Sequence, residues 1–153
     1  MQYDWPSPLT ERTLTECGWS PDRRVDMSST IRTLESIGYH FSPESVDILS
    51  NFGGLWIYPP EIESAQWAGD PVQFDPMDPF EGLPEQYFSL QERLGQTLSP
   101  LGRSGGEMGY SILADGRLIG DWTAGVLVLG NTFTEGMDLI VRRYRQPEWL
   151  VKY

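Results

Sequence analysis

Apolar positions recur at helical spacing through the first third of the chain and at strand spacing through its middle and late parts. Ser7 followed by Pro8 supplies an N-cap oxygen and then a proline at the first helical position, so a helix is expected from there to near Gly18, with Leu9, Leu14 and Cys17 facing inward. After the loop Trp19-Ser20-Pro21, Met27, Ile31 and Leu34 stand at i, i+4 and i+7. They predict a second helix from Asp26 to Ile37, stopped by Gly38. Ser42-Pro43-Glu44 repeats the start signal. The third helix then carries Val46, Leu49 and Phe52 on one side, places acids in its first turn, where the helix dipole favours them, and ends at Gly53-Gly54.

The period then shortens. Leu55-Trp56-Ile57-Tyr58 is β-prone and stopped by Pro59-Pro60, and Val72-Gln73-Phe74 has the alternation of a second strand, with a loop centred on Trp67 between them. Pro84 to Leu94 reads as a helix presenting Tyr87, Leu90 and Leu94, and Ser99 to Gly106 as a proline and glycine loop. Ser111 to Ala114 and Arg117 to Gly120 flank Asp115-Gly116, which predicts a two-residue hairpin with positive φ at both turn positions. Val126 to Leu129 is a buried-strand candidate. Asn131 is the expected cap of a last helix with Phe133, Met137, Ile140, Val141 and Tyr144 on one stripe and Arg142, Arg143 and Arg145 at its basic end. This order implies an α+β fold, a single domain over residues 1–153 with helices packed on a largely antiparallel sheet.

Charge adds a feature that periodicity does not show. Of the 153 residues, 22 are acidic and 11 basic, and from Thr33 to Glu92 eleven acids occur without one lysine or arginine. The whole net charge of -11 therefore resides in that run, which should repel phosphate backbones and anionic lipid and attract a basic partner. Direct nucleic-acid binding is disfavoured. No apolar stretch approaches the roughly 18 residues of a membrane helix. Met1 to Pro8 lacks the basic and apolar regions of a secretory signal, so a cytoplasmic location is expected.

Candidate chemistry narrows the choice further. One cysteine, Cys17, and one histidine, His40, rule out Cys/His zinc sites and leave no paired nucleophile and base. Phe52-Gly53-Gly54-Leu55 lacks the Gly-Lys-Ser/Thr of a phosphate loop, and its glycines read as a helix cap. Gly102 to Gly109 is glycine-rich but precedes a strand, the wrong context for a dinucleotide fingerprint. Glu61 with Glu63 and Asp75 with Asp78 could be proposed as carboxylate pairs or a calcium site. They lack the glycine-spaced ligand pattern of a calcium loop, and neighbouring acids are common on surfaces. No catalytic residue, metal or cofactor is expected.

Four short motifs carry a resemblance. Cys17-Gly18-Trp19-Ser20-Pro21-Asp22-Arg23-Arg24-Val25, Leu49-Ser50-Asn51-Phe52-Gly53-Gly54-Leu55, Leu98-Ser99-Pro100-Leu101-Gly102 and Ala114-Asp115-Gly116-Arg117 occur in the order found in the third subfamily of SUKH domains, the bacterial immunity proteins. The likeness spans about Leu9 to Tyr144. One departure is Leu118-Ile119-Gly120, where relatives often have an aromatic residue after the hairpin turn. Within the family signature, Trp19 and Arg23 read as architectural, the indole packing on the first helices and the guanidinium anchoring the loop.

The resemblance implies a monomeric, non-enzymatic protector that binds and neutralises a toxin domain of a bacterial polymorphic toxin system, commonly a nuclease or nucleic-acid deaminase. Such an enzyme needs a basic groove, which an acidic surface can steer toward and occupy. The expected toxin-binding residues are accordingly Glu61, Glu63, Asp70, Asp75, Asp78, Glu81 and Glu85, with Trp67 as an anchor. A runner-up of another class is a regulatory scaffold docking on an endogenous cell-wall or signalling protein. A small hydrolase using the carboxylate pairs ranks third.

Overall fold

The computed structural model describes residues 2–77, 84–105 and 108–153. Three helices come first: α1 (Pro8–Glu16), α2 (Ser28–Ile37) and α3 (Pro43–Phe52). Two short strands, β1 (Trp56–Ile57) and β2 (Val72–Gln73), precede α4 (Pro84–Leu94). The meander β3 (Leu98–Ser104), β4 (Gly109–Leu113), β5 (Leu118–Trp122) and β6 (Gly125–Gly130) leads to α5 (Phe133–Arg142) and β7 (Glu148–Lys152). All seven strands form one antiparallel sheet in sequential order, which makes the architecture α+β.

The expected caps are in place. Ser7 Oγ accepts from the Thr10 amide and Ser42 Oγ from the Ser45 amide, each at 3.2 Å and each followed by proline at the first helical position. At α5 the cap is Thr132, not Asn131. Thr132 Oγ1 accepts from the Glu135 amide at 3.2 Å, while Glu135 returns a carboxylate oxygen to the Asn131 amide at 3.0 Å. This reciprocal pairing satisfies two helix-end donors at once. On α3 the buried side runs through Ser45, Ile48, Leu49 and Phe52, and Val46 is exposed. Tyr144 lies past the end of α5, exposed beside Arg142, whose guanidinium carbon is 4.4 Å from the ring centroid.

Three readings of the β region change. Residues 98–104 are a strand, where a loop is expected over Ser99 to Gly106. Pro100 is accommodated because β2 pairs only with Arg103 and Ser104, and because the register with β4 shifts between Pro100 and Gly102. A Cβ at Gly102 would run into the Gln73 carbonyl, so only glycine lets β2 cross there. The β4–β5 turn has three residues, Ala114, Asp115 and Gly116. The Gly116 amide donates to the Leu113 carbonyl and the Leu113 amide to the Arg117 carbonyl, both at 2.9 Å. Positive φ (94°) occurs at Gly116 but not at Asp115, the pattern of a type I turn closed by a glycine bulge. Strand β7 was not expected at all.

One face of the sheet is sealed. Phe52, fully buried, sits among Tyr3, Trp5, Trp19, Phe74 and Phe133 at ring-centroid distances of 5.0 to 6.1 Å. Trp19 Nε1 donates to Asn51 Oδ1 at 2.6 Å, and Arg23 donates to the carbonyls of Asn51 and Gly53 at 2.9 and 2.8 Å. The motif residues Trp19 and Arg23 thus lock the loop after α1 onto the end of α3. Tyr110 and Leu118 also face this side, against Phe133, Met137 and Ile140 of α5. Side chains alternate along a strand, so Ser111 and its partner Ile119 point to the other face, where α4 lies.

Candidate interaction surface

The segment joining β1 to β2, residues 58–71, contains Glu61, Glu63, Trp67 and Asp70. It is fastened to the chain just after α5. The Gln66 amide donates to the Arg143 carbonyl at 2.9 Å, Gln66 Nε2 to the Tyr144 carbonyl at 2.8 Å, and Gln146 Nε2 to the Gln66 carbonyl at 3.0 Å. Trp67 Nε1 donates to the Arg145 carbonyl at 2.9 Å, so this half-buried indole anchors its own loop. Arg143, 4% exposed and at a φ of 49°, donates through its guanidinium to the Pro60 carbonyl. A left-handed residue that is not glycine is costly, and here it turns the chain so that three successive carbonyls meet the loop.

The sequence-predicted residues separate into groups on this frame. Glu61, Glu63 and Asp70 are exposed on the fastened loop. Asp75 is half-buried, and its Oδ1 accepts from the Met77 amide at 3.0 Å, a local turn. Glu85 is exposed in the first turn of α4, on a different part of the surface. Asp78 and Glu81 lie outside the described residues. Cys17 and His40 stay apart: Cys17 Sγ accepts from the Tyr58 amide at 3.4 Å, and His40 is exposed with its backbone amide on the Tyr87 hydroxyl at 3.2 Å.

A feature not anticipated from sequence lies on the open face. Helix α4 is held over the sheet by Tyr87, whose hydroxyl donates to the Leu98 carbonyl, and by Gln91, whose Oε1 accepts from the Leu98 amide at 3.0 Å. Between α4 and the sheet is a groove of about 790 Å³, lined by residues that include Glu85, Arg93, Ser111, Asp121, Trp122 and Tyr153. Burial raises the Asp121 carboxyl above the usual carboxylate range, with partial relief from the Tyr153 hydroxyl, which donates to it at 2.9 Å. Burial and the Asp121 carboxylate together push the Tyr153 hydroxyl up to about 12. At the end of β5, on the face opposite Asp121, Trp122 (39% exposed) and Trp149 (42% exposed) stack with centroids 6.4 Å apart. Exposed aromatic pairs of this kind are frequent binding anchors.

Among the described residues no helix is long and apolar enough to cross a membrane. Comparison with known proteins gives one result: residues 6–143 match the model of a family described as SUKH-3 immunity protein. Nothing among the curated proteins or the solved structures matches.

Proposed function

The chain belongs to the SUKH-3 immunity protein family, and from that premise we propose that it binds a cognate bacterial toxin domain and neutralises it stoichiometrically, without turnover of its own. The partner is a basic enzyme acting on nucleic acid, a nuclease or a deaminase. Its working groove is occluded by the acidic surface, and the encounter takes place in the cytoplasm with the protector as a monomer. One observation carries this reading: all the net charge lies in the base-free run, and Glu61, Glu63 and Asp70 stand exposed on a loop already fastened to the protein body. Fixed charges steer a basic partner to the surface, and a preorganised loop loses little entropy on binding.

The test is a triple variant, Glu61→Lys, Glu63→Lys and Asp70→Lys, assayed against the toxin domain that co-purifies with the protein. Association should slow and lose salt sensitivity, protection of toxin-expressing cells should weaken, and the melting temperature should stay close to that of the parent. Unchanged affinity at low salt would show that these acids are only a solvated face. Adding Glu85→Lys asks whether the acidic surface extends to α4.

A further inference from the structure

The groove under α4 contains a carboxylate that the fold does not compensate. Asp121 receives the Tyr153 hydroxyl, a neutral donor, and no lysine or arginine among the described residues pairs with it. The cation in the lining, Arg93, lies over the Tyr153 ring instead, 5.7 Å from its centroid. A half-buried carboxylate with one neutral partner costs stability, and a fold selected for stability alone gains nothing from it.

The surroundings specify what would complete it. Ser111 and Gly109 on the sheet are small and leave depth, and the volume of about 790 Å³ is enough for a short extended segment. The groove carries two acids, Asp121 and Glu85, against one cation, Arg93, so its lining has negative charge to spare. A guanidinium suits this combination: it forks onto a carboxylate and gives up its hydration more readily than an ammonium group. We propose that this groove receives an arginine side chain from an extended segment of the protein partner, with the guanidinium on Asp121. The inference rests on the reading of the chain as a binder of a basic protein, and it adds a pocket of defined chemistry to the diffuse attraction of the acidic loop.

The probe is a short blocked peptide carrying one arginine, compared with the same peptide carrying citrulline, its neutral isostere. Nuclear magnetic resonance of the backbone amides gives the readout, with Ser111 in the groove lining assigned. The arginine peptide should shift the Ser111 signal saturably and the citrulline peptide should not. Asp121→Asn should weaken the response about tenfold, the loss of one charge-assisted contact, without lowering the melting temperature. Glu85→Gln, at an exposed position in the lining, should weaken it as well. Equal responses to the two peptides, no Ser111 response to the arginine peptide, or an unaltered response in Asp121→Asn would overturn the proposal. The triple lysine variant of the acidic loop should keep the peptide response, so the two readings can fail independently.

Discussion

Asp138 and Asp121 are aspartates set on opposite sides of the sheet, and their surroundings differ in kind. Asp138, 2% exposed, receives the hydroxyls of Ser7 and Thr10 at 2.9 and 2.7 Å and the guanidinium of Arg142, its Nη2 at 2.8 Å. Burial opposes its ionisation, but the bonds from Arg142, Thr10 and Ser7 outweigh burial and hold the carboxyl below its usual range. Asp121 has burial with one neutral donor, and its carboxyl is raised. One side of the sheet has thus spent its polar groups on holding α1 to α5, while the other retains a carboxylate with bonding capacity to spare. The two faces differ in how completely their aspartates are paired.

The contrast can be broken most forcefully at Phe52. Phe52→Ala should cost about 3 to 5 kcal/mol in denaturant titrations, because six aromatic rings meet there and cannot close the cavity. A loss below about 1 kcal/mol would mean that the sealed face is loosely packed. Asp138→Asn comes next, at about 1.5 to 3 kcal/mol at neutral pH, toward the lower end because Arg142 is partly exposed. Its folded carboxyl titrates below the unfolded value, so the stabilisation is complete above about pH 4 and disappears as pH falls through the folded value. Melting curves of parent and variant should therefore converge in acid.

Gly116→Val tests the turn between two strands that serve both faces. At a φ of 94° it should cost about 1 to 2 kcal/mol, seen as a lower melting temperature. Asp121→Asn should change stability least and sharpen the contrast most. Because its folded carboxyl titrates above the unfolded one, the parent should lose stability as pH rises through that raised value, and the asparagine variant should lack this slope. A clear destabilisation by Asp121→Asn at neutral pH would place Asp121 among the structural groups and remove the contrast.

The sealed face was the legible one. Ser7-Pro8 and Ser42-Pro43 mark helix starts by local hydrogen-bond chemistry, and Leu14, Leu34, Leu49, Phe52 and Met137 follow a period that burial enforces. Reading failed where tertiary context overrode local signals. Pro100 and Gly102 argue for a loop until β2 is known to pair only beyond them, and Tyr3 and Trp5 have no period that would place them against Phe52. The acidic run was visible as composition, and of its described members Glu61, Glu63 and Asp70 share one loop while Glu85 lies elsewhere. The groove was invisible because Asp121 and Tyr153 meet across 32 residues of chain, and a lone aspartate in a strand reads as solvated.

The bonds from Ser7 and Thr10 to Asp138 also bear on how the protein is made. They join residues 131 and 128 positions apart, and Phe133 closes the aromatic cluster from the same late helix. At ordinary translation speeds α1 leaves the ribosome on the order of ten seconds before α5 exists. Throughout that interval Trp5, Trp19 and Phe52 lack a covering surface, while each sheet hairpin can close as soon as its second strand is synthesised. The nascent first third is therefore the stretch that a chaperone or a protease meets before α5 covers it.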